Sequence, residues 1–229
     1  MKVITISRQF GSLGDEIASR LCEILNYRYF DKFLVMQAAH EAGLSEQEAV
    51  DYSEEHYKMQ NFFERVFSGP RTLAELRVWK EDAQGLRKPQ ALALTEETAL
   101  DLVQKAIHHA HALGRVVIVG RGGQVLLQNE PDVLHVRVEA PLETRIMRVK
   151  EWHPFETRVD IRRQAQSLIE ARDAASAAYL ERFYHVRWDD PSLYHLILNT
   201  GKLTAEQGAD MLAYLTHEFT PELERVLAH

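Results

Sequence analysis

Glycine turns and arginines follow the predicted strands of this chain, a combination that suits the binding of phosphate groups. Gly11 and Gly14 lie between a β-rich run and a helical pattern, and Gly120 and Gly122 bracket Arg121 after a buried apolar run. The backbone N–H groups of a glycine loop and of a helix N-terminus can hold an anion. A guanidinium can bind phosphate through two parallel hydrogen bonds. Phosphate recognition is therefore the predicted chemistry, although an ordinary strand-to-helix turn remains the alternative for the first loop.

A second group of arginines lies in the last third of the chain. Phosphoryl transfer depends on positioning and charge stabilisation, and arginines on a closing flap can supply that charge. For any single arginine of the group, a solvated salt bridge on a helix surface is the favoured interpretation. For the set, a lid that faces the ligand is favoured. Its members are Arg145, Arg148, Arg158, Arg162, Arg163 and Arg172.

The first glycine loop lacks the lysine of the usual phosphate loop, which ends Gly-Lys-Ser/Thr. The corresponding stretch is Gly14-Asp15-Glu16. Two carboxylates in the first helical turn suit the helix dipole, but they repel a polyphosphate. Mg²⁺ could bridge one of them to a phosphate oxygen. We expect repulsion from Asp15 and metal contact from Glu16, with weak, Mg²⁺-dependent donor binding.

Strands that alternate with helices are expected to position these residues. Strand patterns occur at residues 3–6, 27–30, 115–119, 133–139 and 194–198, and helices are predicted after most of them. This alternation predicts a doubly wound parallel sheet. Ligands bind at the carboxyl ends of the strands in such sheets. We therefore expect residues 7–14, Asp31 and residues 120–123 to surround one cleft.

The middle of the chain, residues 31–94, shows no strand signal and predicts a helical insertion. Helices are expected at residues 33–42, 45–59 and 73–80, and residues 83–89 are expected to form a loop.

Composition excludes several classes of protein. The net charge of −7 over 229 residues argues against binding polymeric nucleic acid through a basic surface. Cys22 is the single cysteine, so it cannot form an internal disulfide and is expected to pack in the core. No signal peptide or membrane-spanning run is evident, which predicts a cytoplasmic protein. Three histidines on one predicted helix do not have the spacing that would bring them together on one metal ion. They are His108, His109 and His111.

Several stretches of the chain resemble the bacterial cytidylate kinase-like family. The opening Val-Ile-Thr-Ile-Ser-Arg-Gln-Phe-Gly-Ser at residues 3–12 follows the family pattern. Further matches are residues 29–32, 117–122, 136–148, 179–184, 188–190 and 194–200. The resemblance implies a single P-loop α/β domain over residues 1–229, with a five-stranded parallel sheet. It also implies a helical acceptor-binding insertion at 32–94 and an arginine-rich lid at 152–187.

The resemblance, combined with the residue patterns above, implies an activity and a set of site residues. The activity is transfer of the ATP γ-phosphate to a nucleoside monophosphate such as CMP or dCMP, with ATP and Mg²⁺ bound. The implied phosphate loop comprises Ser7, Arg8, Gly11, Ser12, Gly14 and Glu16, with Glu16 as the Mg²⁺ ligand. The implied acceptor residues are Asp31 and Arg121. The implied catalytic residues are Arg145, Arg148, Arg158, Arg162, Arg172 and Asp173.

The chain departs from the family pattern at several positions. Leu13 replaces a glycine, Asp15 stands where relatives often carry a basic residue, and Val119 and Gly122 replace aspartates around the Gly-Arg pair. The missing lysine favours an alternative, a catalytically weak or inactive nucleotide-binding regulatory protein. The arginine set favours a retained phosphotransferase for nucleotides or similar small phosphorylated molecules. A kinase for a substrate other than a nucleotide is a third interpretation.

Overall fold

The structure is a computed structural model that describes residues 3–30, 75–81, 87–93, 96–153, 155 and 160–218. The chain divides into two compact units. One unit combines Met1–Tyr29 with Leu113–His229, and the other is Phe30–Ala112. The first unit holds the sheet and most of the predicted site residues.

A five-stranded parallel sheet forms the centre of the first unit. The strands of the chain are β1 (Val3–Arg8), β2 (Arg28–Tyr29), β3 (Glu75–Glu81), β4 (Arg87–Ala93), β5 (Val116–Val119), β6 (Val133–Glu139) and β7 (Leu196–Asn199). The sheet has the order β2-β5-β1-β6-β7, and all its neighbouring strands are parallel. The predicted five-stranded parallel sheet is therefore confirmed, with β1 at its centre.

Helices connect these strands. They are α1 (Gly14–Leu25), α2 (Glu96–Leu113), α3 (Gly123–Leu126), α4 (Leu142–Trp152), α5 (Ile161–Tyr184) and α6 (Ala205–Glu218), and a 3-10 turn spans Pro191–Leu193. The short helix α3 was not among the helices predicted from the sequence. None of the helices in the described ranges is long and apolar enough to cross a membrane.

Apolar side chains on both faces of β1 and β5 explain why these strands lie inside the sheet. Val116–Val119 is buried along its whole length, as a strand covered on both faces requires. On one side, Ile17 and Leu21 of α1 and Leu212 of α6 belong to the same core. Cys22 packs against this core as predicted, and burial, with a smaller contribution from Glu23, raises the pKa of its thiol to about 11.

An antiparallel hairpin in the second unit corrects the sequence prediction. β3 pairs with β4 in the register Glu75↔Ala93 to Glu81↔Arg87, so the helix expected at 73–80 is wrong over 75–80, and the loop expected at 83–89 is wrong over 87–89. The neighbouring residues 73–74 and 83–86 lie outside the described residues. Val78 and Trp79, which favour strands, agree with the observed β3. The helices predicted at 33–42 and 45–59 lie outside the described residues.

A buried histidine on β6 contacts β1, the end of α3 and the residue that precedes β7. Thr5 on β1 bonds Nδ1 of His135 on β6 at 2.7 Å, and Nε2 of His135 lies 3.2 Å from the Leu127 carbonyl. The His195 ring stacks on the His135 ring with centroids 5.1 Å apart, and its Nδ1 accepts the His135 backbone N–H at 2.9 Å. Burial, followed by the neighbouring His195, lowers the pKa of His135 to about 4.

The protein should lose stability as the pH falls from about 6.5 towards 4, because the unfolded chain then protonates His135 while the folded chain does not. Between pH 7 and pH 5 the free energy of unfolding should fall by about 2 kcal/mol from this residue. Urea denaturation at the two pH values measures the change. His135→Gln should reduce it, whereas the exposed-site control His108→Gln should not. An equal pH dependence in wild type and His135→Gln would contradict the assignment.

Candidate phosphate-binding site

The loop between β1 and α1 presents backbone N–H groups. Gly11 and Leu13 have φ values of 80° and 65°, so the chain turns through two left-handed residues before the helix begins. Within the described ranges, the N–H groups of Leu13, Gly14 and Asp15 have no hydrogen-bond partner. N–H groups at a helix N-terminus in this state are the usual donors to an anion.

The carbonyl groups of the same loop are held by side chains from other elements. Arg145 Nη1 donates to the Phe10 carbonyl at 3.2 Å, and Arg148 Nη1 donates to the Gly11 carbonyl at 3.3 Å. The Thr200 hydroxyl donates to the Ser12 carbonyl at 2.7 Å. Three successive carbonyls are thus bonded by groups from α4 and from the end of β7. These bonds fix the orientation of the peptide groups in the loop.

A buried ion pair supports this arrangement. Arg145 Nη1 lies 2.6 Å from Asp173 Oδ2, and the two side chains are 8% and 20% exposed. Asp173 Oδ1 also accepts the backbone N–H of Phe10 at 2.9 Å, and Arg145 Nε donates to the Ala140 carbonyl at 3.0 Å. Arg145 and Asp173 therefore join α4, α5 and the loop. Their predicted catalytic role stays a prediction.

The second feature of the candidate site is the turn that follows β5. Gly120, Arg121 and Gly122 have φ values of 71°, 61° and 76°, so an arginine lies between two glycines in the left-handed region. Arg8 at the end of β1 approaches this turn closely, because a Cβ on Gly120 would lie 2.9 Å from Arg8 Nη1. Two guanidinium groups thus come together at the carboxyl ends of neighbouring strands.

The electrostatics of the two guanidinium groups differ. Burial, followed by repulsion from Arg8, lowers the pKa of Arg121 to about 10. Burial of Arg8 acts in the same direction, but its ion pair with Asp15 raises the pKa overall. Arg8 Nε lies 3.2 Å from Asp15 Oδ1, which leaves Nη1 and Nη2 without hydrogen bonds within the described residues. Two cations that lie close together repel each other, and an anionic ligand would relieve this repulsion.

The other predicted site residues lie elsewhere or are engaged differently. Ser7 Oγ accepts the Trp188 indole N–H at 2.8 Å, and the Glu16 carboxylate binds Arg20 at 3.0 Å on the surface of α1. Arg162 pairs with Glu143, and the Arg172 guanidinium lies 5.6 Å from the Phe10 ring centroid. Asp31 and Arg158 lie outside the described residues.

Sequence reasoning missed several residues that shape the site. Asp15 was expected only to repel phosphate, yet its carboxylate holds Arg8 and accepts a 3.4 Å hydrogen bond from Tyr29. Thr200 directly follows β7, and this strand-end position is the signal that could have identified it. Tyr179 of α5, whose hydroxyl lies 3.4 Å from the Arg121 carbonyl, has no comparable signal, because its contact is set by tertiary structure.

Comparison with known proteins agrees with this geometry. Residues 3–202 match the model of the cytidylate kinase-like family. The chain belongs to this family. The match covers β1 with its loop, the Arg121 turn and the strand end at Thr200, so these features lie within the matched residues.

Individual relatives of this family member are distant. A cytidylate kinase from Methanosarcina barkeri (strain Fusaro / DSM 804) is 23% identical over 139 residues, which is 59% of this chain and 74% of the relative. An uncharacterized protein from Eubacterium ventriosum ATCC 27560 has a similar structure, with a TM-score of 0.58 and 18% identity. That alignment covers 95% of this chain and 99% of the other, and it shows a shared fold.

Asp173→Asn should destabilise the protein by about 3–5 kcal/mol, because it leaves the Arg145 guanidinium buried without its counter-charge. The matched control is Asp189→Asn, which removes one partner of an exposed pair with Arg187. The control should change stability far less, because water screens the charges of an exposed pair. Urea denaturation gives both values. Equal losses for the two variants would contradict a structural role for the buried pair.

Proposed function

We propose that the protein is a phosphotransferase that transfers the ATP γ-phosphate to a nucleoside monophosphate of the CMP or dCMP type. The observation that carries the proposal is the pair of anion-binding features at the carboxyl ends of adjacent strands. One is the N–H loop after β1, and the other is the Arg121 turn after β5. Two phosphate groups held at neighbouring strand ends suit transfer between a donor and an acceptor.

In this proposal the loop after β1 binds the donor phosphates. Its N–H groups at Leu13, Gly14 and Asp15 supply hydrogen bonds in place of the absent lysine. Because the loop carbonyls are bonded to Arg145, Arg148 and Thr200, the loop does not need to rearrange when it binds an anion. Such preorganisation is a main source of charge stabilisation in phosphoryl transfer.

Arg8 and Arg121 bind the acceptor's phosphate in the same proposal. Arg8 keeps two NH₂ groups for a ligand while Asp15 holds its Nε, and a guanidinium edge fits two phosphate oxygens. The acceptor's anion would also relieve the repulsion between the two arginines.

Mg²⁺ fits the donor site through Glu16. Its carboxylate is a hard oxygen ligand in the first turn of α1 and is 46% exposed in its pair with Arg20. An exposed pair of this kind contributes about 1 kcal/mol or less, so exchanging Arg20 for the metal costs little. When bound, Mg²⁺ would neutralise charge on the donor's phosphates.

A panel of nucleoside mono- and triphosphates, scored for thermal shift and for ADP release, tests the function. Ligand binding raises the melting temperature by mass action whether or not turnover follows. ADP release with one class of monophosphate supports the proposal. ADP release only with acceptors that are not nucleoside monophosphates would contradict the proposal of a nucleotide acceptor.

A second candidate is a nucleotide-binding regulatory protein without turnover. Arg145 and Arg148 favour this candidate, because both guanidinium groups already donate hydrogen bonds to backbone carbonyls. They therefore keep fewer N–H donors for the negative charge of a transition state. Thermal shifts with ATP or a monophosphate, without ADP release from any pair, would favour this candidate.

Arg121→Ala should weaken binding of the acceptor monophosphate, and Arg121→Lys should restore little, because an ammonium lacks the planar fork of donors. Arg187→Ala is the matched control, since Arg187 is exposed and pairs locally with Asp189. Isothermal titration with the monophosphate measures all three variants. Wild-type affinity in Arg121→Ala would remove this arginine from the acceptor site.

Arg172→Ala should lower kcat far more than it raises KM if this arginine acts in the transition state. Its guanidinium is 5.6 Å from the ring of Phe10, a loop residue, so it lies near the proposed donor phosphates. Steady-state kinetics with the best substrate pair separates the two parameters. A rise in KM alone would make Arg172 a ground-state binding group.

A further inference from the structure

The backbone of the Arg121 turn is strained. Arg121 has a φ of 61°, and a residue with a Cβ adopts this region only at an energetic cost. The flanking glycines carry no such penalty. Within the turn, the Gly123 N–H bonds the Gly120 carbonyl at 3.2 Å and the Val125 N–H bonds the Gly122 carbonyl at 2.9 Å. Strain of this kind persists only where surrounding structure holds the backbone in place.

Two tyrosines near the end of α5 supply that support. The Tyr179 hydroxyl donates to the Arg121 carbonyl at 3.4 Å and lies 3.4 Å from the Tyr184 hydroxyl. The Tyr184 ring packs against Gly122, where a Cβ would lie 2.5 Å from a ring carbon. The two rings meet edge to face with centroids 5.8 Å apart. Burial, followed by the influence of Tyr184, raises the pKa of Tyr179, so its hydroxyl keeps its proton for donation.

The end of α5 is itself anchored to the sheet. Trp188, four residues beyond Tyr184, donates its indole N–H to Ser7 at 2.8 Å, and its carbonyl accepts from Arg137 Nη1 at 2.6 Å. The Arg137 guanidinium also lies 4.5 Å from the Trp188 ring centroid. The tyrosines therefore extend from a segment that is fastened to β1 and β6, so they can hold the turn at a defined place.

We propose that Tyr179 and Tyr184 are positioning residues that keep the Arg121 turn in its anion-binding conformation. The inference rests on the proposed function in one respect, that the anion is the acceptor's phosphate. Neither tyrosine needs to touch the ligand. Tyr179 acts through the Arg121 carbonyl, and Tyr184 acts by filling the space that only a glycine at position 122 leaves open.

The first test measures the turn without any ligand. Hydrogen–deuterium exchange at the Gly123 and Val125 amides reports opening of the turn, because both amides are bonded within it. Tyr179→Phe removes one hydroxyl and should speed this exchange about 3- to 10-fold. Tyr184→Phe keeps the ring and should resemble wild type more closely than Tyr184→Ala. The control Tyr214→Phe, at an exposed position on α6, should leave the exchange unchanged.

The second test measures anion binding with inorganic phosphate and with CMP. Tyr179→Phe should weaken both about 3- to 10-fold, and the loss should disappear in an Arg121→Ala background, because the tyrosine acts through that turn. Unchanged exchange and unchanged affinity in Tyr179→Phe and Tyr184→Ala would overturn the inference. A loss of affinity that persists at full size in Arg121→Ala would also overturn it.

The two tests separate this inference from the proposed function. If exchange speeds up but Arg121→Ala binds phosphate and CMP as wild type does, the positioning of the turn is supported and the acceptor site is wrong. If Arg121→Ala loses binding while neither tyrosine variant alters exchange, the acceptor site is supported and the positioning role is wrong.

Discussion

The orientation of the loop's peptide groups is the constraint on which the candidate anion site after β1 depends. A peptide group that turns its carbonyl one way presents its N–H the other way, so the Thr200 bond to the Ser12 carbonyl directs the Leu13 N–H. The Ile17 N–H bond to the Leu13 carbonyl directs the Gly14 N–H in the same way, while Arg145 and Arg148 hold the two preceding carbonyls. The two arginines and Thr200 come from α4 and from the end of β7, far from the loop in sequence. A loop without a lysine can in this way still offer an ordered set of donors.

The Arg8 and Arg121 pair illustrates a different constraint, the repulsion between like charges. Burial raises the cost of that repulsion because it removes the screening that water provides. Asp15 offsets part of the charge on Arg8 while binding only its Nε. Asp15 thereby sets the charge balance beside the turn.

Helix α5 contacts both the loop after β1 and the Arg121 turn. Asp173 accepts the Phe10 N–H of the loop, and Tyr179, less than two helical turns further on, donates to the Arg121 carbonyl. The helix was predicted as a lid because of its arginines, and this role stays a prediction. An aspartate and a tyrosine of the helix bond the loop and the turn, and Arg172 lies 5.6 Å from the Phe10 ring centroid. One helix thus links the loop to the turn.

The sequence by itself determined the strands that are buried on both faces, because an apolar run such as Val116–Val119 is stable only when both of its faces are covered. It also located both glycine turns at strand ends. It failed for the antiparallel strands at 75–81 and 87–93, because these short segments follow neither the strand period nor the helix period closely enough to distinguish the two. Only the tertiary structure decided which polar groups meet. The Phe10 N–H and the Asp173 carboxylate are 163 positions apart in the chain. The sequence does not indicate which partner each arginine will contact, because folding determines its neighbours.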